Sequence, residues 1–185
     1  MRTIQLNTIA RAAAICFATL AFSVGAQASG DKTVYSQAKT SAKATYESAK
    51  KACDSQSGNA KDICVLEAKA ARTKTEVDAE AVYKNTPKAR EHAVHETAEA
   101  NYKVAKERCD DMKGNDKDVC VKEAKAVMVK AKADSKATMK TSEAKMDASK
   151  DKREADYKVA AEKCDAMSGD AKNSCVSTAK TKYGM

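Results

Sequence analysis

The sequence predicts an all-α fold of three tandem antiparallel helical hairpins, coiled-coil-like and elongated, each closed by its own disulfide. Three observations carry this expectation. A motif holding two cysteines recurs three times. Ala, Lys, Glu and Met, all strong helix formers, dominate the chain. Large apolar side chains are too scarce to fill an ordinary globular core.

Residues 1–28 read as a secretory signal peptide. Arg2 and Arg11 precede an almost wholly apolar run from Ala12 to Val24, and Ala26-Gln27-Ala28 supplies a small-x-small cleavage pattern. That run is too short to cross a bilayer, which takes about 20 residues. Cys16 follows Ile15, where a lipid-anchoring signal needs a small residue. Cleavage after Ala28 and release into the periplasm through the Sec pathway are therefore expected. No later apolar stretch is long enough for a membrane span.

Losing the leader changes the composition. Both Phe residues go, and Leu66 and Ile63 become the only Leu and Ile. With twelve Val, the large aliphatic residues make up 14 of 157, well below the roughly 20% under which disorder becomes the default. Six cysteines remain, an even number in a chain bound for an oxidising compartment. The net charge falls from +8 to +6 with Arg2 and Arg11 removed.

The repeat organises the rest. Tyr46 to Ala70 (YESAKKACDSQSGNAKDICVLEAKA), Tyr102 to Ala126 (YKVAKERCDDMKGNDKDVCVKEAKA) and the segment from Tyr157 (YKVAAEKCDAMSGDAKNSCVSTAKTKYGM) align, 56 and then 55 residues apart. This divides the chain after the leader into residues 29–85, 86–141 and 142–185, the last hairpin being shortened. Gly58, Gly114 and Gly169 each close a helix-forming run, as the left-handed residue just past a helix. Asn59, Asn115 and Asp170 follow as N-caps. Asp62, Asp118 and Asn173, three residues further on, complete something close to a capping box. Helix, glycine, cap, helix is an αα-hairpin.

Folding each copy about its glycine pairs Cys53 with Cys64, Cys109 with Cys120, and Cys164 with Cys175. Six cysteines allow fifteen connectivities, and the repeat singles out this one. The same fold places Ala49 opposite Ala68, Tyr46 opposite Ala71, Ala42 opposite Thr75 and Tyr35 opposite Val82 in the first copy. In the second, Ala105 faces Ala124, Ala98 faces Ala131, and His95 lies opposite Asp134. In the third, Ala160 faces Ala179, and Tyr157 faces Lys182. Alanine beside each cysteine pair lets the helices approach closely enough for a disulfide. Asn85-Thr86-Pro87 ends the first hairpin, with Thr86 as N-cap and Pro87 as first helical residue. The corresponding stretch near Thr141 has neither Gly nor Pro, which admits a continuous helix there.

No Ser-His-Asp set, phosphate-cradling glycine loop or paired carboxylates in a cleft are present in the sequence, so no enzyme activity and no cofactor are expected. Cys-x10-Cys is neither a zinc-ligand spacing nor the Cys-x-x-Cys of redox enzymes. His92 and His95, three apart with Glu91, Glu96 and Glu99 nearby, are the one candidate metal site. Alternating charges along the arms read as solvated helix faces. The positive balance suits an acidic or anionic envelope component. Export and mixed charge argue against nucleic acid.

The three Tyr/Cys-Asp/Gly/Cys copies resemble a repeat found in small Ala/Lys-rich exported proteobacterial proteins labelled TolA-like or cell envelope biogenesis proteins. The resemblance covers most of the chain after the leader. It implies an envelope location and a helical architecture, not Tol function, because TolA's N-terminal membrane anchor and C-terminal domain have no counterpart in these residues. Two further readings stand beside an envelope scaffold: a hydrated stress-protectant with little packed core, and a periplasmic metal-binding protein using His92 and His95.

Overall fold

The computed structural model describes residues 30–185, so the leader expected over residues 1–28 lies outside them. Five α-helices run in order: α1 (Lys32–Ala52), α2 (Gly58–Lys84), α3 (Pro87–Cys109), α4 (Gly114–Cys164) and α5 (Gly169–Tyr183). A short 3-10 turn, Cys53–Ser55, follows α1. No strand occurs among the described residues, and no helix among them is long and apolar enough to cross a membrane.

Each helix packs only on its neighbours in sequence. The first four therefore form an open layer one helix thick rather than a bundle around a closed core. That arrangement suits the composition. Nine of the eleven buried apolar side chains are Ala or Cys, the others being Val104 and Met139, and no polar side chain is buried among the described residues. A one-helix layer has thin seams in place of a core, and seams lined by alanine need no large aliphatics.

The expected division into three separate hairpins is too sharp. α2 packs on α3 more extensively than on α1, although the two belong to different copies of the repeat. Ala70 on α2 and Ala89 and Ala93 on α3 are buried, so the two copies share a seam of the same kind as those within them. The packing is sequential from α1 to α5.

Two junctions with nearly the same sequence position behave differently, for a local reason. Between α2 and α3, Asn85 takes the left-handed conformation (φ 46°) and donates its backbone N–H to Ala81. Thr86 Oγ1 then accepts from the Ala89 N–H at 3.1 Å, and Pro87 opens α3. In the next copy Thr141 stands where Asn85 did, the proline is gone, and the spacing is one residue shorter. No residue there stops a helix, and α4 runs unbroken for 51 residues, about 75 Å at 1.5 Å per residue. Positions 141 and 142 lie in mid-helix. Every residue of α4 from 144 to 153 is exposed.

Candidate functional site: the stapled turns and the layer edge

The helix before each turn ends at or just before its first cysteine, five residues ahead of the glycine. The N–H groups of Gln56, Met112 and Met167 bond back to the carbonyls of Cys53, Cys109 and Cys164 at 3.0 Å, closing each helix with a tight turn. The chain then extends through Ser57, Lys113 or Ser168. Gly58, Gly114 and Gly169 take φ of 56°, 56° and 60° as the first residues of the following helices. The glycines thus open the second arm rather than cap the first, and they are needed because a residue with Cβ is strained at positive φ. The capping expected of Asn59, Asn115 and Asp170 is absent, each being the second residue of its helix, and Asn59 is used elsewhere. Its Nδ2 instead donates to the Glu107 carbonyl at 3.2 Å, tying turn 1 to the end of α3.

Three disulfides close the turns: Cys53–Cys64, Cys109–Cys120 and Cys164–Cys175, with Cα–Cα distances of 5.7, 5.8 and 5.7 Å. The first cysteine of each pair is almost wholly buried. The partners Cys64, Cys120 and Cys175 are half-buried.

One further contact recurs in all three copies. Asp54, Asp110 and Asp165, each directly after the first cysteine, pair with Lys61, Lys117 and Lys172 at 2.9 Å. Identity of Asp and Lys at the same two places in all three copies was the available clue. Each pair clasps the two arms beyond the disulfide. The hydrogen bond from Lys61 holds the Asp54 carboxyl below its ordinary value of 3.8, and the bond to Asp110 raises Lys117 above its own. A depressed carboxylate pKa stabilises the fold above the unfolded value, and that contribution is lost as pH falls through the folded one. Carbon-detected titration of Asp54 should give a midpoint below 3.8, and Lys61→Ala should move it up toward the ordinary value. An unchanged midpoint would show that the clasp does not form in solution.

The facing register is close to the sequence reading near the turn. Ala42, Tyr46, Ala49, Ala68, Ala71 and Thr75 line one groove between α1 and α2. Further out it shifts: Tyr35 stacks on Tyr83, ring centroids 5.0 Å apart, and Val82 is 60% exposed. Arg72, rather than Ala71 alone, lies over the Tyr46 ring at 5.5 Å. Side chains tilt toward their helix N-terminus, so in an antiparallel pair the residue on α2 that meets a given ring is one position further along.

Turns 1 and 2 lie at the same end of the layer, joined by the Asn59 contact and by the Arg108–Glu67 ion pair. Turn 3 is carried away at the far end of α4. Where α3 begins, Pro87, Val94, Met139 and Met146 line an open groove of about 260 Å³.

The two histidines line one open groove with Glu80 and Glu91 but do not form a ligand set. His95 Nε2 lies 3.3 Å from the Lys132 carbonyl oxygen and 3.7 Å from Glu91; Asp134, expected opposite it, is exposed. His92 is exposed in that groove, beside Glu80. Glu99 is engaged by Lys132, whose hydrogen bond lowers its pKa. Among the described residues no three His, Cys, Asp or Glu side chains are grouped to hold a metal ion.

Comparison with protein-family models, with curated proteins and with solved structures finds no match for the chain. The class defined by the geometry is an open all-α layer with disulfide-closed turns, without an evident catalytic or metal-binding arrangement among the described residues.

Proposed function

We propose that this is an exported, non-enzymatic scaffold of the cell envelope, a stapled helical spacer that presents surfaces in the periplasm rather than converting a substrate. The observation that carries the reading is α4: a continuous helix of 51 residues holds the third stapled turn apart from the first two. The leader pattern, the oxidised cysteines and the resemblance to envelope proteins support the compartment. The positive balance of the chain supports an acidic or anionic envelope partner. The helical order of residues 32–183 favours a scaffold over a hydrated coil.

Expression with its own leader in a Gram-negative host tests this. The expected product begins at Ser29, fractionates with the periplasm, carries no free thiol, and crosslinks there to an anionic envelope component in a salt-sensitive way. An uncleaved, thiol-bearing product in the cytoplasm would overturn it.

A further inference from the structure

The second copy of the repeat docks on the first through two defined faces. Leu66, Ala70 and Thr73 of α2 meet Glu96, Ala100 and Lys103 of α3, and two polar contacts fix the register: Glu67 with Arg108, and Asn59 with the Glu107 carbonyl. The repeat reproduces the alanines and the polar contacts of both faces, while Leu66 and Thr73 give way to Lys122 and Val129. A step of 56 residues carries Asn59, Glu67 and Ala70 to Asn115, Glu123 and Ala126. A step of 55 carries Ala93, Ala100, Glu107 and Arg108 to Ala148, Ala155, Glu162 and Lys163. Six of these seven residues are unchanged, and the seventh exchanges Arg for Lys and keeps its charge.

Both reproduced faces sit on α4, one on each half, and neither has a partner among the described residues. Among the described residues α4 touches only α3 and α5. Ala126, Val129, Ala133, Ala144, Ala148 and Ala155 are all exposed. Ser142, beside Pro87 at the start of α3, and Cys164, bridged to Cys175 of α5, are 22 residues apart, about six helical turns, so α3 and α5 flank the same side of α4. The two unpartnered faces therefore join into one seam along the other side. Because the helix does not break at 141–142, the second face cannot fold back onto the first.

We propose that a second copy of this chain covers the seam, antiparallel, so that each α4 offers its Ala126–Ala133 face to the Ala148–Ala155 face of its neighbour. The Glu67–Arg108 pair is then repeated between Glu123 and Lys163 of the partner subunit, and the Asn59 contact between Asn115 and the Glu162 carbonyl of the partner subunit. Glu123 and Lys163 thus meet in the register the chain already uses. The twofold axis passes near Lys140, where Glu143, 3.5 Å from its Nζ, offsets the approach of like charges. This is a domain swap: each third hairpin takes the place on its neighbour that the second takes on the first. The inference rests on the repeat and the unbroken α4, not on the envelope reading.

Sedimentation of the oxidised chain, with carbodiimide crosslinking of mixed ¹⁴N and ¹⁵N protein, tests it. The expected results are twice the chain mass and a Glu123–Lys163 crosslink joining light and heavy copies. Ala126→Glu and Ala148→Glu place an unmatched charge in the seam but are exposed in a single copy; each should leave helicity intact and weaken dimerisation about tenfold or more. Glu123→Lys should weaken it roughly two- to fivefold, and adding Lys163→Glu should restore it. Single-chain mass at all concentrations, a crosslink confined to one isotope, or a dimer indifferent to Ala126→Glu would overturn the proposal.

Discussion

Replacing both Cys164 and Cys175 by alanine should unfold α5 while leaving α1 to α3 and the first half of α4 intact. α5 has 15 residues and packs on α4 alone, with Ala179 as its only buried side chain. A helix of that length is marginal in water by itself. The bridge spans 11 residues of sequence, and closing a loop of that size contributes about 3 kcal/mol in the chain-entropy model. Without it, the α5 amides should exchange close to random-coil rates, and far-UV circular dichroism should fall by the share of α5. Persistent protection of α5 in the variant would show that packing, not sulfur, holds it. The equivalent change at Cys109 and Cys120 should remove a similar amount of global stability without local melting, because α3 is held on both sides, by α2 and by α4.

The second large effect concerns the break that α4 lacks. Thr141→Asn, Ser142→Thr and Glu143→Pro together recreate the Asn85-Thr86-Pro87 junction. Proline within a helix removes a backbone donor and clashes with the preceding turn, costing about 3 kcal/mol or more if the helix stays straight. The variant should therefore split α4 in two. The third hairpin should then turn back onto the exposed Ala126–Ala133 face of its own chain, as the second lies on the first. X-ray scattering should show a shorter maximum dimension, with the residues around 141 losing amide protection. An unchanged scattering profile would mean that the difference between the two junctions is not set by these three residues.

Much of this architecture was legible because the repeat shows each element more than once. The cysteine partners, the position of each turn and the near-turn register follow from folding each copy about one point, though the glycines open the second arm rather than close the first. The long α4 was legible as an absence of helix stops near Thr141. The shared α2–α3 seam was not, because the pattern compares each arm with its own partner and says nothing of the next copy; Ala89 and Ala93 look like any other alanines. Asn59 was misassigned for the same reason. Asparagine after glycine is a good local cap, and only the neighbouring α3 offers it the Glu107 carbonyl instead. The shift from Val82 to Tyr83 lay in side-chain direction, which a residue count ignores. Of the candidate sites, the histidine pair had the right local spacing. His95 and Glu99 are engaged instead by Lys132 of α4, a contact that local spacing does not reveal.

The fold depends on three turns being shut independently by sulfur, and peptide mapping of the unreduced protein tests this directly. Trypsin should release three bridged pairs, joining Cys53 to Cys64, Cys109 to Cys120, and Cys164 to Cys175, with no free thiol among these six. Bridges between different copies of the repeat, or thiols that alkylate without reduction, would contradict it.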